Sequence, residues 1–128
     1  MHIVNLTLVS PPVPQALPLK PVELLILTML TAGERHGYGI RQDIVDHTQG
    51  ALQLEAGNLY RSMRRLEADG FVEESGRRPA ADADDERRRY YRLSAMGRRV
   101  LAAEMIRLRE LVRLAEERRL IAPLPREA

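Results

Sequence analysis

The residues from Ser94 to Ile121 set the tightest limit on how this chain can fold. Leu101, Met105, Leu108, Val112 and Ala115 step by four and three, the spacing of a heptad seam. Val100, Leu111 and Leu114 widen the stripe. Glu104 and Arg107, Glu110 and Arg113, and Glu116 and Arg119 are placed to pair along the outer surface. Ser94 suits the N-cap, and Pro123 stops the helix after about Ile121. About 27 residues at about 1.5 Å each make a rod of roughly 40 Å. One domain within a 128-residue chain cannot cover that length. The uncovered stripe calls for a symmetry-related second copy. The five seam residues are therefore the candidate dimerisation contacts.

Upstream elements are shorter. Lys20-Pro21 opens the folded part, because proline's missing N–H costs nothing in a helix's first turn. The run Val22 to Leu30 is apolar on most of its circumference and must be buried on most sides. Gly33 stops it. His36-Gly37-Tyr38-Gly39 opens a second helix, with Ile40 and Ile44 inward and Arg41, Gln42, Asp43 and Asp46 outward. Thr48-Gln49-Gly50 ends it. In the third helix, within Leu54 to Gly70, Leu59, Met63 and Leu66 share one face. Asn58, Arg61, Ser62, Arg64 and Arg65 share the other, with Tyr60 on the flank. Asp69-Gly70 closes it, glycine serving where the chain turns left-handed. Phe71 to Ser75 and Arg89 to Leu93 then alternate as short strands around a long charged loop, the pattern of a hairpin.

Helix, helix, helix, hairpin, long helix is the order of a winged helix-turn-helix domain with a dimerisation helix. The expected fold is mostly α with a small β hairpin. Its parts are a winged-helix DNA-binding domain at 20–93, a dimerisation helix at 94–122 and a tail at 123–128. Residues 1–19 carry Pro11, Pro12, Pro14 and Pro18, a density that forbids a helix. They read as an arm of little order. A short strand from Ile3 to Val9, or a start codon placed too early, are the alternatives. In a winged-helix domain the third helix enters the major groove and the hairpin tip lies along the flanking backbone.

Composition narrows the chemistry. The chain has no cysteine, so disulfides and thiolate catalysis are out. His2, His36 and His47 lack metal-ligand spacing, and neither a Ser-His-Asp grouping nor a phosphate-binding glycine loop is evident. The expectation is a protein without enzymatic activity, metal or cofactor. No apolar run reaches the roughly 18–20 residues of a membrane span. The amino terminus lacks a basic n-region and a clear cleavage site, so a cytoplasmic protein is expected. Nineteen of the twenty Lys and Arg residues are Arg. Guanidinium forks suit phosphate and guanine edges, although a GC-rich genome gives the same bias.

Several stretches, in order, resemble the PadR-type bacterial transcriptional regulators. These are LLILTML (Leu24 to Leu30), HGYGI (His36 to Ile40), GNLYRSMRRLEADGFV (Gly57 to Val72) and RRRYYRLSAMGRRVL (Arg87 to Leu101). The resemblance covers roughly Leu19 to Ile121 and is similar to the family's branch with a single C-terminal helix. It implies a homodimeric winged-helix regulator that binds a palindromic operator and usually represses. It also implies that a small hydrophobic effector near the dimer interface is one partner to test for. Where the family has Ser-Pro-Gly-Thr, this chain has Glu55-Ala56-Gly57-Asn58. Glu is a poor N-cap beside Ser, and Ala lacks proline's preset φ. Arg61 stands in place of a proline and adds a cation where the helix approaches DNA. The wing loop carries Asp82, Asp84, Asp85 and Glu86, which repel phosphate.

The candidate contacts to double-stranded DNA follow. Asn58, Arg61 and Arg64 face the major groove, where Asn pairs with adenine and Arg with guanine. Arg65 either reaches a phosphate or pairs with Glu67 or Asp69. Tyr60 and Tyr38 either donate to phosphates or are partly buried at the helix junction. Arg77, Arg78, Arg87, Arg88 and Arg89 frame the wing, as phosphate contacts or as partners of the acids between them, with Arg77, Arg78 and Arg88 the candidates to reach DNA. His36 reads as a turn residue. A competing function is a winged-helix module that binds another protein, which the acidic loop and weak cap would suit.

Overall fold

The computed structural model describes residues 14–52, 54–76 and 89–125. Pro21 opens α1 (Pro21–Met29), behind an extended Lys20. A 3-10 turn, Leu30–Ala32, follows, and Gly33 stops it with φ of +133°. Strand β1 (Arg35–His36) leads directly into α2 (Gly37–His47), capped by its own predecessor: His36 Nδ1 accepts the Gly39 N–H at 2.8 Å. Helix α3 (Ala56–Ala68), strands β2 (Val72–Glu74) and β3 (Tyr90–Leu93), and α4 (Ala95–Glu117) complete the order.

The sheet has three strands in the order β1-β3-β2, all antiparallel. The hairpin pairs Val72 with Leu93 and Glu74 with Tyr91. β1 adds Arg35 opposite Tyr91 and His36 opposite Tyr90. This third strand departs from the simple hairpin expected. Two residues are too few to show an alternating pattern, and it is their pairing with β3 that makes them a strand.

One core joins the four α-helices, β2 and β3. Ile26 and Leu27 of α1, Leu30 of the 3-10 turn, Ile40 and Ile44 of α2, and Leu59, Met63 and Leu66 of α3 are buried together with Val72, Tyr91, Val100 and Leu101. The back face expected for α3 is thus its buried face. Each such side chain contributes about 1.5–3 kcal/mol when fully buried.

Three expectations need correction. The chain from Gln15 to Leu19 is not a loose arm: Ala16 and Leu17 pack on the core, and Leu19 is buried. Residues 1–13 lie outside the described residues. Glu104 does not pair with Arg107 on the outer surface. It is 1% exposed and accepts from Arg107 at 2.6 and 2.9 Å and from the Leu19 N–H at 3.1 Å. The last helix ends at Glu117 rather than near Ile121. Arg119 turns left-handed at φ of +62°, and the N–H groups of Arg119 and Leu120 bond back to Glu116 and Ala115. Those two bonds form a Schellman closure without glycine.

The heptad seam also divides. Leu101 belongs to the core of its own domain, because the first turns of α4 pack against α1 and β3. Leu108 and Ala115 are half-buried, while Met105 and Val112 are exposed. The uncovered part of the stripe begins after Glu104.

Candidate nucleic-acid interface

Helix α3 is held from three sides. Leu54, in the turn before it, is buried, and its carbonyl accepts from Arg41 Nε at 2.6 Å. Arg41 therefore fixes the angle between α2 and α3 rather than facing outward. Thr48 Oγ1 accepts the Leu52 N–H in the same connection. At the far end Gly70, at φ of +82°, closes the helix, with the N–H groups of Gly70 and Phe71 returning to Glu67 and Leu66. At its start Glu55 is extended and its side chain makes no capping bond. The helix still begins at Ala56, because the Leu59 N–H bonds to the Glu55 carbonyl. Tertiary packing sets the start that the cap does not.

The outward face carries Asn58, Arg61, Arg64 and Arg65, all exposed. Arg61 donates from Nη2 to Asn58 Oδ1 one turn back, which ties these two side chains into one unit. Arg65 is held at the edge of this face by Glu23 of α1, Nη1 to Oε2 at 2.9 Å. Of the partners open to it from sequence, Glu67, Asp69 or a phosphate, none is the one it takes here, which is Glu23 on another helix. Glu23 lies in an otherwise apolar run and is buried, so it needs a cation within reach.

Tyr38 is 51% exposed at the start of α2. Tyr60 is buried, its ring seated against Gly37, where a Cβ would lie 2.9 Å from a ring carbon. Of the two roles weighed for Tyr60, this position is that of a core residue. Arg77, Arg78 and Arg88, and the acidic residues 82–86, lie outside the described residues. At the root of the wing, Arg89 pairs with Glu74 at 3.9 Å and Arg92 with Glu73 at 3.8 Å. The Arg89 carbonyl accepts the Gly37 N–H, which couples the wing to the start of α2.

Two positioning residues were not singled out from sequence, Glu23 and Arg41. The signal for Glu23 was its lone charge inside an apolar helix. Arg41 carried no signal, since its bond depends on where Leu54 falls in three dimensions. Among the described residues no helix is long and apolar enough to cross a membrane, and no group of three His, Cys, Asp or Glu could hold a metal ion.

Comparison with known proteins gives a consistent result. The model of the transcriptional regulator PadR-like family matches residues 26–103. Transcriptional regulator Rv3488 of Mycobacterium tuberculosis is 34% identical over 92 residues, which span 72% of this chain and 79% of that protein. A PadR family transcription regulator from Clostridium difficile R20291 has a TM-score of 0.63 at 19% identity, over 77% of this chain and 97% of its own. Bacillus subtilis PadR, solved in complex with operator DNA, has a TM-score of 0.58 at 19% identity, over 85% of this chain and 53% of its own. With the winged-helix fold in place and the family match running from the middle of α1 into α4, the chain belongs to the PadR-like family of transcriptional regulators.

Proposed function

We propose that this protein is a homodimeric repressor that binds a palindromic operator, with α3 of each copy in the major groove. The observation that carries this reading is the division of α3. Leu59, Met63 and Leu66 fix its back in the core, while Asn58, Arg61 and Arg64 stand exposed on its front. A rigid helix that presents Asn and Arg forks is suited to base edges. The operator complex of the Bacillus subtilis relative supports the same use of the fold. Tyr38 serves as a phosphate contact beside the reading face, Arg65 joins it when free of Glu23, and Arg77, Arg78 and Arg88 act from the wing.

The test is binding of the full chain to DNA from its own upstream region, titrated at several salt concentrations. Specific binding should weaken steeply with salt. Arg61→Ala and Arg64→Ala should each cost about 1–3 kcal/mol and relax preference at one base position. Arg77→Ala and Arg78→Ala should weaken binding to all sequences alike. Absence of any sequence preference, with both α3 variants behaving as the parent, would remove DNA reading and leave a protein-binding role for the same face.

A further inference from the structure

A cavity of about 370 Å³ lies between the amino-terminal segment, the first turn of α1, the end of α3 and the base of α4. That volume falls within the range of small-molecule sites. Leu19, Phe71, Met96 and Val100 make its apolar walls, and Glu23 and Asp69 are its charged groups. Among the described residues, no basic side chain lines it. Glu23 is the carboxylate that also holds Arg65 on α3. One buried acid therefore faces two ways, toward the cavity and toward the outward face of α3.

We propose that this cavity binds a small amphipathic amine, with its ammonium on Glu23 and Asp69 and its apolar body against Leu19, Phe71, Met96 and Val100. The site stands apart from the exposed stripe of α4, and its link to DNA rests on the function proposed above. An anion would meet two carboxylates, the one nearby cation, Arg65, being already held by Glu23, and a neutral apolar guest would leave Glu23 without a new partner. An ammonium makes charge-assisted hydrogen bonds to both acids. In doing so it competes with Arg65 for Glu23. While Arg65 is paired its charge is neutralised next to the DNA-facing surface. Once released, it adds a cation to the phosphate-binding set. The amine thus acts as a co-repressor, tightening DNA binding and steepening the salt dependence by about one contact. Reciprocity requires operator DNA to tighten amine binding by the same factor.

The experiment is calorimetric titration of the full chain with 4-phenylbutylamine, set against 4-phenylbutanol and 4-phenylbutyrate as neutral and anionic matches. The amine alone should bind. Glu23→Gln should weaken it at least about tenfold, the weight of a hydrogen bond to a charged group. Asp69→Asn, at an exposed helix end, should weaken it less and serves where Glu23→Gln unfolds. DNA titration with saturating amine should show several-fold tighter binding in the parent and no change in Arg65→Ala. Equal binding of all three probes, no binding, or amine binding that survives both Glu23→Gln and Asp69→Asn overturns the site. Amine binding by calorimetry with no effect on DNA affinity overturns the coupling through Arg65. The calorimetric arm needs no DNA, so failure of the DNA-binding function leaves a distinct signature.

Discussion

Gly97 is a position where the backbone leaves no room for a side chain. A Cβ there would lie 2.0 Å from the carbonyl oxygen of Phe71, a backbone atom that cannot swing aside. The contact is close because Ser94 staples the same turn: its N–H bonds to the Phe71 carbonyl, its hydroxyl donates to the Gly70 carbonyl and accepts from the Gly97 N–H. Gly97→Ala must push α4 away from the end of α3. We expect a loss of about 3 kcal/mol, the upper end of overpacking, measured by urea denaturation. Glu104 makes a different kind of prediction. Its bonds from Arg107 and then from the Leu19 N–H outweigh its burial and hold its pKa below the ordinary carboxylate value. A lowered folded-state pKa means that this stabilisation is complete above the unfolded value and is lost as pH falls through the folded one. The stability gap between the parent and Glu104→Gln should therefore be full near neutral pH, at about 1.5–3 kcal/mol. It should close progressively below about pH 4.3, the unfolded value. A gap independent of pH would mean that the carboxylate charge is not what Leu19 and Arg107 recognise. The sequence could not reveal this inward orientation, because an acid three residues before an arginine pairs equally well on either face.

At the scale of elements, α3 shows what periodicity can and cannot read. The spacing of Leu59, Met63 and Leu66 located the buried face, and the Asp69-Gly70 pair located the end. Glycine at a left-handed position is a local signal, so it is visible in one dimension. The start was legible as a weakness, since Glu55 is a poor cap, and the structure shows no capping bond from it. Supplying one is a direct test. Glu55→Ser should raise stability by about 0.5–1 kcal/mol through a hydroxyl that accepts an N–H in the first turn. Thermal and urea melts would read the gain, and a loss would mean that the Glu55 charge at the helix N-terminus matters more than a cap. The end of α4 is not legible in the sequence for a related reason. Pro123 marks the last residue a helix could reach, whereas Arg119 adopts the left-handed turn that stops it at Glu117. Arg rarely takes that conformation, so nothing in the sequence announces it.

At the scale of the whole molecule, element order was the legible part, because each helix and strand carries its own period and its own stops. Contacts between distant elements were not, which is why β1, Arg41 and Glu23 emerged only with the fold. The assembly stands between these cases. Met105, Leu111, Val112 and Leu114 are exposed on α4, beyond the point where the helix leaves its own core. In the homodimer proposed above, this stripe is covered by the same stripe on a second copy. The paired variant Met105→Glu, Val112→Glu tests this, since both side chains are exposed in the single chain and their loss should not disturb its fold. Sedimentation should show the parent at twice 14.6 kDa and the variant at 14.6 kDa, with unchanged circular dichroism. Separating the copies removes the tether between two α3 helices, whose spacing on DNA should be one helical turn, about 34–36 Å. Operator affinity should then fall by about 10²–10⁴, the gain that linkage supplies, while the residual half-site binding keeps its dependence on Arg61 and Arg64. A parent that sediments as a single chain, or a dissociated variant that binds the full operator as tightly as the parent, would mean that α4 does not set the register of DNA reading.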